Sequence, residues 1–162
     1  MKLETLRDLL VEQMQDLYDA EHRITEALPK MEKAAHSTLL KAAFRKHLKE
    51  TEGQIGRLDK AFEALDEKAE RKTCKAIKGL IAEGDEMIKE DAEPEVRDAG
   101  LIAAAQRVEH YEMAGYGTIK AFAKLLKLNA VVKLVDATLS EEKATDEALT
   151  DLAVSTINLE AV

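Results

Sequence analysis

Tryptophan is absent, aromatic residues make up 4% of the chain, and only two prolines and seven glycines interrupt 162 positions. So little punctuation excludes the turn-rich sheet folds and leaves room for long helices. No stretch alternates apolar and polar residues with period two for long, which again argues against sheets. None holds the ~18 consecutive apolar residues that a membrane span requires. The first residues, MKLETLRDLLVEQ, are charged throughout and lack the apolar centre of a signal peptide. Cys74 is the single cysteine, so no intrachain disulfide can form, which fits a reducing cytoplasm. The net charge is −8 and no basic patch stands out, so nucleic acid is not expected as a main partner. Glycine-rich phosphate loops, serine nucleophile motifs and paired-cysteine sites are missing too.

What remains is charge, 35% of residues, and apolar residues at helical spacing. The length suits one domain, residues 1–162. Leu3, Leu6, Leu10, Met14, Leu17, Ile24 and Leu28 recur at steps of three and four or their sums, predicting a helix over 2–28 that Pro29 should kink or end. Ser37 is a plausible N-cap for a second helix to about Leu65, with Phe44, Leu48, Ile55, Leu58 and Phe62 as its stripe. A shorter helix over 73–89 shows Cys74, Ile77, Ile81, Gly84 and Ile88 on one face. Pro94 starts a long helix over 95–127, and Leu128-Asn129 breaks it before a last helix over 130–158. Short connections make the first two long helices antiparallel neighbours, and likewise the last two. The middle helix, ~25 Å at 1.5 Å per residue, is long enough to carry the chain back along the bundle. The expected architecture is therefore all-α, an up-down-down-up four-helix bundle of ferritin-like connectivity with an additional crossover helix. A faint repeat supports two related halves. A shift of 91 residues lays Leu17 on Val108, Phe44 on Val135 and Glu21 on Glu112.

Three carboxylates sit where leucines belong. Glu21, Glu112 and Glu142 each fall on the apolar axis of a different long helix. Glu109 lies one turn before Glu112 and roughly 60° round, and Asp146 continues the row Leu139–Glu142. On the second helix Thr51 is on the axis, His47 and Gln54 are at its edge, and Glu50 lies further out, so either Glu50 or His47 could complete the set. An ionised carboxylate in a dry core costs several kcal/mol even after relaxation, and several together repel. One or two divalent cations remove both penalties. Oxygen-rich ligation without thiolate favours iron or manganese. The bland alternatives are rim glutamates whose stems pack and whose heads reach water, a surface Asp146, and a packed His47. Tyr18, Tyr111 and Tyr116 lie close to the acids in sequence. Gly115 and Gly117, unusual in mid-helix, point to close helix approach or a local bulge.

Longer stretches carry a resemblance. They are Tyr18-Asp-Ala-Glu21, Glu26-Ala-Leu-Pro-Lys-Met31, His47-Leu-Lys-Glu-Thr51, Arg97-Asp-Ala-Gly-Leu-Ile102, Gln106-Arg-Val-Glu-His-Tyr-Glu112 and Glu142-Lys-Ala-Thr-Asp146. Over nearly its whole length the chain resembles the bacterial YciE/YciF family, a ferritin-like group described as a domain of unknown function. The resemblance implies a rubrerythrin-like bundle, a homodimer, a dinuclear metal site and a link to bacterial stress responses. It implies no particular reaction. The Glu-x-x-His pairs usual in ferritin-like di-iron sites are not present, because Gly53 follows Glu50 and Thr145 follows Glu142 at that spacing. The leading expectation is a cytoplasmic dinuclear iron or manganese protein with redox or peroxide chemistry. Its metal ligands would be Glu21, Glu50, Glu109, Glu112, Glu142 and Asp146. The competing one is a non-catalytic structural or interaction protein, its Cys74–Ile77–Ile81 face forming the dimer surface.

Overall fold

The computed structural model describes residues 3–162, and all regular structure among them is helical. Five main helices, α1 (Leu6–Ala34), α2 (Thr38–Ala64), α3 (Lys75–Lys89), α4 (Pro94–Leu125) and α5 (Asn129–Leu152), are followed by a π-helical turn (Ala153–Ile157) and a last short helix, α6 (Asn158–Glu160). The α1 start is a capping box. Thr5 accepts from the Asp8 amide at 3.1 Å, and the Asp8 carboxylate accepts from the Thr5 amide at 2.8 Å.

Of the two outcomes expected at Pro29, a kink or an end, the end is not observed: α1 runs on for more than a turn. Proline inside a helix costs ~3 kcal/mol, but Met31, Ala34 and Ala35 beyond it pack into the core. Their burial offsets part of that cost. Ser37 precedes α2 as expected, yet its side chain makes no capping bond. The buried Asp98 of α4 takes over instead, accepting the His36 and Ser37 amides at 2.7 and 2.6 Å. In the same way the buried Asp19 of α1 accepts the Cys74 amide at 2.9 Å and pins the start of α3.

The long helices pack as α1 on α2, α4 on α5, α2 on α5 and α1 on α4. Leu17 lies against Gly115 while Ser37 meets Asp98, so α1 and α4 are antiparallel. Gln54 reaches Glu142 while Arg57 reaches Thr138, so α2 and α5 are antiparallel too. The result is the up-down-down-up order, with α3 crossing over against α4 and α1. The Cys74 and Ile77 side chains of α3 are fully buried within the chain, so of the face expected as a dimer surface only the half-buried Ile81 reaches solvent.

Two apolar clusters fill the interior. One holds Leu10, Met14, Leu17, Leu58, Phe62, Ile119 and Val135. The other holds Ile24, Leu28, Leu40, Phe44, Leu101, Ile102, Leu149 and Ile157. Leu149, Ala153 and Ile157 stay on one face although four-residue steps drift by about 40° each in an α-helix. The wider π turn takes up that drift. On every long helix the residues between the two clusters are polar, which places a belt of titratable groups at mid-bundle.

Gly115 and Gly117 have different origins. A Cβ at Gly115 would lie 2.9 Å from a Leu17 methyl, whereas one at Gly117 meets nothing within 4 Å. Gly117→Ala should therefore stabilise the protein by ~0.5–1 kcal/mol through helix propensity. Gly115→Ala should destabilise it by ~1 kcal/mol, because overpacking exceeds the same gain. Denaturant midpoints of the two variants, displaced in opposite directions from wild type, check this.

Candidate metal centre

The buried face of α2 is the row Leu40, Phe44, His47, Thr51, Gln54 and Leu58. Its steps alternate four and three, as a single face of a helix requires. Leu48 and Ile55 are only half-buried, so the axis is rotated from the expected one toward His47 and Gln54. That rotation brings an imidazole into the belt. Opposite it α4 contributes Glu109 and Glu112, α5 contributes Glu142, and α1 contributes Glu21, all essentially without solvent exposure.

His47, Glu109, Glu112 and Glu142 each present a ligand-type atom within 4.8 Å of the others, so these four could hold a metal ion. His47 Nε2 is 2.9 Å from Glu109 Oε1 without hydrogen-bond alignment. Glu21 stands beside this group, its carboxyl against that of Glu112 and accepting from Tyr116 Oη. Gln54 Nε2 donates to Glu142 and, at 3.2 Å, to Glu141, which Arg57 grips at 2.6 Å through each of two nitrogens. Tyr116 and Gln54 thus orient two carboxylates from behind, as partners of metal ligands commonly do.

Glu50 and Asp146 lie outside the group of four. Glu50 is half-buried and pairs with Lys46 at 2.9 Å. Asp146 is half-buried beside His110 at 3.3 Å and accepts from Gln106 at 3.1 Å. Both remain close enough to raise the Glu109 pKa through repulsion. Cys74 is elsewhere, its sulfur 2.8 Å from Tyr111 Oη, and supplies no thiolate to the belt.

Electrostatics mark the belt as a place with an unmet need. Burial, with repulsion between the acids, pushes Glu109 up to about 7, Glu21 to about 8 and Glu142 to about 9. Glu112 rises well above the ordinary carboxylate value for the same reasons. Glu21 with Glu112 and Glu109 with Glu142 are the close carboxyl pairs, and this mutual approach adds to burial in raising Glu112 and Glu142. As ionised groups they find few donors. Of the buried side-chain nitrogens and oxygens without a hydrogen-bond partner among the described residues, all but Arg97 Nε belong to Glu21, His47, Gln54, Glu109, Glu112 and Glu142. Native interiors leave few such atoms, so their concentration in one belt marks the place where cations would satisfy them.

Glu21, Glu109, Glu112, Glu142 and Asp146 were all expected to face inward, with Glu50 or His47 completing the set from α2 and Glu50 among the expected ligands; the group of four holds Glu109, Glu112, Glu142 and His47. Tyr116 stood out in the sequence only as one of three tyrosines near the acids, and Gln54 only as a residue at the edge of the α2 stripe. The missing signal was the uninterrupted three-four row through His47, Thr51 and Gln54.

Known proteins share this arrangement of helices. A crystal structure of the E. coli stress protein YciF superposes with a TM-score of 0.93 over 96% of this chain and 99% of that one, at 46% identity. YcfI of Rhodopseudomonas palustris, for which a structural role has been conjectured, gives 0.90 at 44% identity, over 92% and 95% of the chains. A Xanthomonas campestris protein at 19% identity gives 0.78 over 96% and 95% and shares the fold. In sequence, protein YciF of E. coli strain K12 is 46% identical over 162 residues, 99% of this chain and 98% of the relative. With a family model matching residues 5–162 as well, the chain belongs to the family described as domain of unknown function DUF892, the YciF family.

Proposed function

We propose that this protein is a dinuclear iron or manganese protein acting in a bacterial stress response. One observation carries the reading: nearly all the unpartnered buried polar atoms of the described residues converge from four helices on one belt. His47, Glu109, Glu112 and Glu142 would hold one ion. Glu21 would hold a second on its own side, with Glu112 and Glu142 shared. Glu50 and Asp146 would complete the outer edge beside Glu109. One imidazole with several carboxylates and no thiolate suits iron or manganese. Once bound, the ions would supply redox chemistry toward oxygen or peroxide. The cytoplasmic location and the homodimer implied by the resemblance belong to the same proposal, and sedimentation tests the dimer.

A second reading has one observation in its favour. The conjectured structural role of the Rhodopseudomonas relative suits a bundle whose metal is purely structural. Elemental analysis followed by peroxide or oxygen addition separates the two. Stoichiometric metal without turnover supports the structural role, turnover supports the redox role, and failure to take up iron or manganese removes both.

Glu142→Ala should lower metal affinity at least ~10-fold while helicity by circular dichroism is retained. Equal metal content in variant and wild type after dialysis against a chelator would reject the ligand assignment.

The protonation of the belt gives a pH signature. Glu109, Glu21 and Glu142 have folded pKa values above the ordinary 4.5. Their protonated forms favour folding fully below that value, and the benefit is lost as pH rises through about 7, 8 and 9. Metal-free protein should therefore melt at a lower temperature at pH 9 than at pH 6. Saturating Mn(II) should remove most of that slope, since the ion binds the ionised ligands. Glu142→Gln should flatten it without metal, and an unchanged slope in that variant would assign the effect to surface charge instead.

A further inference from the structure

Between α1, α3 and α4 lies a cavity of about 30 Å³. Ile24, Leu28, Leu80, Ala105 and Val108 are among its walls, and His47 with Glu109 close its inner end. Ala27, Ile81 and Asp85 line both this cavity and a neighbouring surface hollow that carries Arg23, Lys30 and Lys78. The mostly apolar cavity thus adjoins two residues of the belt on one side and shares a wall of α1 and α3 residues with the charged hollow on the other.

We propose that the cavity opens to this hollow across the shared wall, forming a passage that admits small apolar molecules of the dioxygen class to the His47–Glu109 side of the belt and turns away ions and hydrogen-bonding molecules. Size and chemistry agree. A water-sized probe occupies roughly 10–15 Å³ by the same kind of measure, so the cavity suits a molecule of about two heavy atoms. Between Asp85 at the hollow and His47 with Glu109 at the belt, the aliphatic walls offer no partner to a hydrated ion or to peroxide, either of which would have to shed hydrogen bonds on crossing them. Dioxygen sheds none, and small apolar cavities take up apolar guests readily. The inference rests on the metal reading only for what the gas would meet at the inner end. It selects dioxygen over peroxide as the oxidant on this route.

The passage itself is testable without metal. In metal-free protein with methyl-labelled Ile, Leu and Val, dissolved dioxygen under pressure should enhance proton relaxation at the buried Ile24 and Leu28 several-fold more than at Leu10 and Val131. The latter two are fully buried in the other cluster. A gadolinium chelate, polar and too large, should show no such preference. Ala27→Leu should reduce the oxygen enhancement several-fold and Ile81→Ala should increase it, with the fold of both confirmed by unchanged methyl spectra elsewhere. Equal enhancement at cavity and control methyls would overturn the proposal, as would insensitivity to both variants. Failure of wild-type protein to bind iron or manganese would strike the metal reading alone, because the relaxation experiment uses neither.

Discussion

The constraint that organises this molecule is the free energy of keeping ionisable side chains away from water. Four long helices meet at mid-bundle with carboxylates and one imidazole where aliphatic packing would be the stable choice. Burying one such charge alone costs several kcal/mol, and here Glu21, Glu109, Glu112 and Glu142 are buried together. Repulsion compounds the penalty unless protons or cations intervene. The two apolar clusters on either side have to supply the stability that the belt forgoes. They also keep the belt dry, so any charge placed there is weakly screened.

How the sequence specified this follows from where its periodicity is strong. The five helices, their order and the up-down-down-up connectivity were legible because long three-four repeats admit few packings. Glu21, Glu112 and Glu142 were legible as inward residues because a charge on the axis of an apolar stripe has no other place to point. His47 and Gln54 were harder. Leu48 and Ile55 are more apolar and drew the expected axis of α2 toward themselves, although both are half-buried. Position along an unbroken three-four row was the better guide than residue type.

Other features were illegible because they depend on partners distant in sequence. Pro29 reads locally as a stop, and only the packing of Met31 and Ala34 into the core shows why the helix continues. Ser37 has the chemistry of a cap, but the hydrogen bonds go to Asp98, 61 residues away. Cys74 and Ile77 on α3 looked like a surface awaiting a partner, and for these two the partner is the chain's own α1 and α4.

Asp98 carries a consequence for how the chain assembles. The turn joining α1 to α2 is tied down by a side chain from the other half of the molecule. The first hairpin therefore cannot complete its own corner, and the two halves should fold as one cooperative unit rather than in succession. Amide exchange at His36 and Ser37 would then follow undocking of α4, with a protection close to that of global unfolding. Rapid exchange at both sites in otherwise intact protein would show that the corner opens independently.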